Sequence, residues 1–298
     1  MDTTLPRASA PDTFLLGNDL PVRRLGFGTM RLVGEGAWGE PPRGRDEAVK
    51  VLRRAVELGV NLIDTADAYG PHIAEELVAQ ALHPYPAGLV IATKGGLTRT
   101  APAKSKPLGR PDYLVQSVEL SLRRLKLDRI DLYQLHRIDP TVPVEETLGA
   151  LKDLQAAGKI RHIGLSEVTP EEIERAGKVV PIVSVQNKYN LTERKSEHTL
   201  DFCTRHNIAF IPWYPLNAGR DKAKLDAPGH AVGEFAREHR LTLNQLSLAW
   251  LLHRSPVILP IPGTSSVQHL EENWSAAAVS LPDDLWDEFD LILDTQAM

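Results

Sequence analysis

Four reactive side chains stand at or just beyond the ends of apolar runs. Asp64 closes VNLID (60–64), and Tyr69 follows five residues later in NLIDTADAYG (61–70). Lys94 closes LVIATK (89–94), and His136 closes IDLYQLH (130–136). Each alone has an ordinary explanation. A strand-end aspartate caps a following helix, a lysine there is solvated, a lone histidine is a satisfied core residue, and a tyrosine in a turn is a surface aromatic. Together they suit proton donation by a phenol. A free tyrosine has a pKa of about 10, and a neighbouring ammonium favours the phenolate and lowers that value. Lys94 would supply the charge, and Asp64 would pair with an ammonium that should not be left alone at a core edge. His136 would hydrogen-bond the oxygen of a reacting carbonyl. The rival is a lyase using Lys94 as a Schiff-base nucleophile. Dispersed histidines argue against a metal site, and no GxSxG elbow is present.

The elements that must position this set recur as one unit, a short apolar run ending in a polar or glycine-rich turn and followed by an amphipathic helix. The runs are LGFGTM (25–30), VNLID, LVIATK, IDLYQLH, IRHIGLSE (160–167), PIVSVQ (181–186), IAFIPWY (208–214) and VILPIPG (257–263). Helical spacing covers 45–58, 113–125, 144–157, 232–239 and 243–252. Before the first run, 14–16 and 20–23 flank Gly17-Asn18-Asp19, which is hairpin chemistry. Eight strands alternating with helices, without a linker, predict an α/β protein of the (β/α)8 TIM-barrel class, with an N-terminal β-hairpin and extra C-terminal helices. Residues 1–298 are expected to form one domain, with 1–12 a flexible tail. The rival doubly wound sheet lacks its GxGxxG turn, because Gly26-Phe27-Gly28 runs into Thr29-Met30-Arg31.

Composition limits the function classes. A net charge of -5 opposes a general nucleic-acid binder, and no stretch approaches the roughly 20 apolar residues of a membrane span. One cysteine, Cys203, allows no internal disulfide and reads as a buried structural thiol. With no signal pattern at the N-terminus, a cytoplasmic location is expected.

The text around the four residues resembles the aldo-keto reductase family. GVNLIDTADAYG, IATKGG and DRIDLYQLHRID carry its Asp, Tyr, Lys and His at Asp64, Tyr69, Lys94 and His136. The similarity continues through GKIRHIGLSE, SVQNKYN and IPGTSSVQHLEEN, from about Leu25 to Leu281. ALHPYP and IPGTSSVQHLEEN bring it nearest to bacterial short-loop members of the pyridoxal-reductase kind. The resemblance implies a (β/α)8 barrel that reduces aldehydes and ketones with NADPH, NADH being the alternative cofactor. It also implies a small carbonyl substrate, no nucleic-acid or membrane partner, and a monomer or small homo-oligomer. A non-catalytic NADPH sensor is a second reading.

By the same resemblance, Ser166 and Gln186 would hold the nicotinamide carboxamide and Trp213 would stack on the ring, with Thr29, Met30, Asp64, Glu167, Tyr214, Pro215, Leu216 and Ile261 nearby. Gly219 and Lys224 belong to a cationic loop suited to a pyrophosphate, or to a solvated one. Gly263, Thr264, Ser265 and His269 would meet the 2′-phosphate, and Glu272 and Asn273 the adenine. Phe27, Trp38, Tyr69 and His136 would wall the substrate, although Trp38 has an alternative role as a packing anchor for its loop. Two departures from the family pattern stand out. Glu167 replaces the usual asparagine, and an ionised carboxylate only accepts. Gly263 and His269 occupy positions where the family often has Lys or Arg.

Overall fold

β1 (Thr13–Leu16) and β2 (Leu20–Arg23) pair antiparallel across Gly17-Asn18-Asp19, where Gly17 and Asn18 take φ of 63° and 66°. These residue types tolerate the left-handed conformation a short hairpin loop requires. Alternation sends Phe14, Leu16, Leu20 and Val22 inward, where they join the first residues of the barrel strands, Val90, Ile130 and Ile160, in one core. The hairpin thus floors the N-terminal end of the barrel and leaves the other end open for chemistry. The computed structural model describes residues 13–216 and 220–296, so the expected tail at 1–12 and Gly219 lie outside the described residues.

The barrel strands follow in order. β3 (Phe27–Gly28), β4 (Leu62–Asp64) and β5 (Val90–Gly95) come first. A separate antiparallel hairpin, β6 (Leu97–Ala101) and β7 (Lys104–Pro107), stands on the rim after β5. Then come β8 (Ile130–Leu135), β9 (Ile160–Ser166), β10 (Ile182–Gln186) and β11 (Ala209–Phe210). All seven barrel strands pair parallel, in the order β11-β10-β9-β8-β5-β4-β3. The eighth run, 257–262, closes the ring without forming a regular ladder. It exchanges backbone bonds with Phe210 on one side and, among the described bonds, only accepts on the other, where the N–H groups of Gly26, just before β3, and Gly28 bond to the Pro260 and Pro262 carbonyls. The physical reason is in its sequence, since prolines have no N–H to give. Gly28 and Gly263 permit the close seam, because a Cβ on Gly28 would lie 2.7 Å from the Ile261 carbonyl and one on Gly263 2.6 Å from that of Gly28.

Helices cover the outside. α1 (Arg45–Leu58) buries Ala48, Val49, Val51, Leu52 and Ala55 on one face and stops at Gly59, which takes φ 102°. α2 (Ile73–Leu82), α3 (Pro111–Leu125), α4 (Val144–Ala156), α5 (Pro170–Gly177) and α6 (Glu197–His206) complete the crossovers between the later strands. α7 (Arg220–Leu225), α8 (Ala231–Glu238), α9 (Leu243–Arg254), α10 (Val267–Ser275) and α11 (Asp283–Gln296) follow β11. Cys203 on α6 is fully buried and its thiol pKa is pushed up to about 12 by that burial, so it is an inert core group. No described helix is long and apolar enough to cross a membrane.

Candidate active site

The ends of β4, β5, β8, β9 and β10 converge on one polar knot at the open end of the barrel. Lys94 Nζ donates to Asp64 Oδ1 at 2.6 Å, to the Thr65 carbonyl at 2.8 Å and to the Tyr69 hydroxyl at 3.3 Å. Lys94 is fully buried and Asp64 is 2% exposed, so every charge here needs the partner it has. The second carboxylate oxygen of Asp64 accepts from Gln134 Nε2 at 3.1 Å and Gln186 Nε2 at 2.9 Å. Gln134, which holds Asp64, was missed by strand-end reasoning because it sits inside β8 rather than at its tip. His136 meets the Tyr69 ring edge-on with centroids 6.0 Å apart. Gly95 is obligatory beside Lys94, since a Cβ there would collide with the Tyr133 hydroxyl.

Protonation follows from burial and charge. Desolvation raises the Tyr69 pKa, the ammonium of Lys94 pulls it down only in part, and Asp64 adds to the rise. The expectation that Lys94 lowers the phenol below its ordinary value is therefore corrected: burial outweighs the cation. The phenol stays protonated at neutral pH, the state a proton donor needs. For Lys94, burial opposes the charge, but the attraction of Asp64 and Tyr69 leaves its pKa raised. Burial first, then the positive charges of Lys94, Arg137 and Arg99, holds His136 well below the ordinary 6.5. His136 is thus a neutral imidazole. Its Nδ1 is buried with no partner among the described residues, which leaves Nε2 as the nitrogen open to the cavity.

Behind the Tyr69 turn lies a second buried cluster. Asp67 Oδ2 accepts from Ser117 at 2.8 Å, Ser117 meets the Tyr133 hydroxyl at 3.1 Å, and Glu75 pairs with Arg124 at 2.6 Å. Desolvation, then repulsion from Glu75, raises the Asp67 pKa from 3.8 to about 7. The folded chain thus holds this proton where the unfolded chain releases it, so the stabilisation is complete below pH 3.8 and is lost as pH rises through 7. The full shift corresponds to at most roughly 4 kcal/mol. We expect Asp67→Asn to raise the urea midpoint relative to the parent more at pH 8 than at pH 5. An identical change at both values would contradict this assignment.

A cavity of about 770 Å³ opens above the knot. Its lining includes Asp64, Tyr69, His136, Ser166 and Gln186 from the polar knot, Gly263, Thr264, His269, Glu272 and Asn273 from the eighth run and α10, and Met30, Trp213, Tyr214, Pro215, Leu216 and Ile261. Gln186 spends its amide nitrogen on Asp64, while Ser166 donates to the Gln186 carbonyl at 2.8 Å and accepts from Arg137 at 2.9 Å. Asn273, 2% exposed, keeps an unpartnered Oδ1, and Glu272 takes a 2.7 Å bond from the Thr242 hydroxyl.

Several expected contacts fall elsewhere. Phe27 is wholly buried in the core between α1 and the sheet, so it walls no substrate. Trp38 does not line the cavity; its strand-like bridge to Gly70 and the bonds from Gly39 and Gly70 brace the Tyr69 turn. Glu167 is turned from the cavity, accepting from the Lys188 N–H at 2.7 Å and from the Trp213 indole at 2.5 Å. A carboxylate suits those two donors, and the indole orientation is its consequence. Thr29 is buried with an unpartnered hydroxyl, Ser265 lies outside the lining, and Lys222, not Lys224, is the α7 lysine that faces the cavity. Arg99, Arg137 and Arg31 line it too and were not singled out from the sequence. Among the described residues, no group of three His, Cys, Asp or Glu side chains could hold a metal ion.

The chain is similar to known proteins. The chain is 47% identical over 283 residues to an uncharacterized oxidoreductase of Schizosaccharomyces pombe, covering 95% of this chain and 90% of that one. It is 40% identical over 285 residues to pyridoxine 4-dehydrogenase of Escherichia coli, covering 94% and 97%. A solved aldo/keto reductase from Klebsiella pneumoniae in complex with NADP and acetate superposes with a TM-score of 0.80 at 28% identity, covering 95% of each chain. The model of the aldo/keto reductase family matches residues 24–294, nearly the whole barrel with its rim. The chain belongs to the aldo/keto reductase family.

Proposed function

We propose that the protein reduces aldehydes or ketones to alcohols with NADPH, with Tyr69 as the proton donor. The observation that carries this reading is the buried Asp64–Lys94–Tyr69 chain ending at the cavity beside a neutral His136. The donor set fits the cofactor. Gln186 and Asn273 each have a side-chain oxygen that takes no hydrogen bond among the described residues, suited to the amide and amino groups of the two bases. Thr264 and the backbone at the start of α10 are suited to phosphate. When bound, NADPH supplies a hydride from its nicotinamide C4. Tyr69 gives its hydroxyl proton to the carbonyl oxygen, and Lys94 stabilises the phenolate left behind. His136 Nε2–H orients the same oxygen, and Asp64 keeps Lys94 in reach.

The Schiff-base alternative is disfavoured by the same geometry, because Lys94 is buried, ion-paired and outside the cavity lining. The relationship to pyridoxine 4-dehydrogenase makes pyridoxal the first carbonyl to try. The test is NADPH oxidation over a panel of aldehydes and ketones that includes pyridoxal; no turnover on any of them would overturn the proposal. With Arg31, Lys222 and His269 on the cavity wall, NADPH is expected to exceed NADH in kcat/KM by about ten-fold or more. Equal values would remove the 2′-phosphate from the reading.

A further inference from the structure

Two guanidinium groups on the cavity wall have no ion-paired acid among the described residues. Arg137 directly follows His136 and uses Nη1 twice, on the His136 carbonyl at 2.6 Å and on Ser166 Oγ at 2.9 Å. Arg99, on β6, ties down the Ala68 and Gly36 carbonyls through Nε and Nη1 at 2.8 and 3.0 Å. Both are half-buried and line the cavity. The remaining N–H groups, Nε and Nη2 of Arg137 and Nη2 of Arg99, have no partner among the described residues. Neither arginine lies within ion-pair distance of a carboxylate there. Glu167, the acid that Arg137 senses, is already engaged by Lys188 and Trp213.

The sign of the site follows. Asp64 is offset by Lys94, and the other acid on the cavity wall among the described residues, Glu272, is engaged by the Thr242 hydroxyl. Arginine does not lose its proton in proteins, so two positive charges without an ion-paired acid among the described residues stand around Tyr69 and His136. Both cations act on His136, and Arg137 also acts on Tyr69, which places them around the reacting centre rather than at a distant rim. The planar fork of a guanidinium matches a carboxylate or a phosphate and is best used where water is partly excluded.

The geometry points to an anion subsite formed by Arg99 and Arg137, which selects carbonyl substrates bearing a carboxylate or phosphate away from the reacting carbon. This rests on the carbonyl-reductase reading and narrows its substrate class. The cofactor phosphates are assigned to other groups, Thr264 and the backbone at the start of α10.

The test compares para-carboxybenzaldehyde and para-formylphenyl phosphate with the neutral isostere methyl para-formylbenzoate, using NADPH. The wild-type kcat/KM for one anion should exceed that for the ester by about ten-fold or more, and the preferred anion identifies the group bound. Arg137→Gln and Arg99→Gln should each lower the anion-to-ester ratio about ten-fold, chiefly through KM, and Arg137→Lys should restore part of it. An anion-to-ester ratio of one or less for both anions, or a ratio that neither variant changes, would overturn the subsite. Arg99→Gln also loses the braces to Ala68 and Gly36, so the Arg137 variants decide if it fails to fold. Failure to reduce any of the three aldehydes counts against the reductase reading, and binding of para-(hydroxymethyl)benzoate against its methyl ester by calorimetry then decides the subsite. Binding of the carboxylate alone, lost in Arg137→Gln, supports it; equal binding or none overturns it.

Discussion

Tyr69→Phe is expected to lower kcat by about 10²–10⁴-fold, the range a positioned general acid contributes, while NADP+ affinity stays close to that of the parent. The substitution removes one oxygen. It keeps the ring that meets His136 edge-on at 6.0 Å and lies 5.0 Å from Lys94 Nζ. Lys94 retains Asp64 and the Thr65 carbonyl as acceptors, so the site keeps its shape and loses its proton. Steady-state rates with a good aldehyde, set beside cofactor titration by tryptophan fluorescence, measure the two quantities separately. Turnover within a few-fold of the parent would show that another group protonates the product.

Asp64→Ala carries the second large effect, on stability as well as rate. It strips the fully buried Lys94 of its counter-charge, and breaking a buried pair in this way costs about 3–5 kcal/mol. Lys94→Met should cost less, because Asp64 still accepts from Gln134 and Gln186. The asymmetry is the informative part. Urea unfolding of the two single variants and the double variant measures it, and the double variant should recover part of the loss seen in Asp64→Ala. Equal costs for both single variants would mean that the two amide donors do not compensate the carboxylate.

Much of the catalytic end was legible from sequence because strand ends are visible as the point where an apolar run turns polar. Asp64 and Ser166 are terminal strand residues, Lys94 is next to the last of β5, and His136 follows β8 directly. The hairpin floor was legible for a different reason, since Gly17-Asn18-Asp19 are turn formers flanked by alternating burial. Other features leave no such mark. The rim hairpin β6–β7 reads as a charged loop, because most of its residues, Lys104 to Lys106 among them, face solvent and show no alternation. The run at 257–263 looks like a strand by composition, yet its prolines cannot donate to a ladder. Asp67, Ser117 and Tyr133 belong to three elements whose meeting is set by tertiary packing, not by spacing along the chain. Glu167 was read as a departure at the cofactor site. Its actual partners, Lys188 and Trp213, lie 21 and 46 residues away.

The most direct measurement is the fate of the hydride. NADPH carrying deuterium at the transferable C4 position would be incubated with the protein and an aldehyde it consumes, and the product examined by mass spectrometry and NMR. The account predicts an alcohol with one deuterium on the former carbonyl carbon, formed one-for-one with NADP+ and slowed by about 10²–10⁴-fold in Tyr69→Phe. An alcohol without that deuterium, or aldehyde loss without cofactor oxidation, would contradict it.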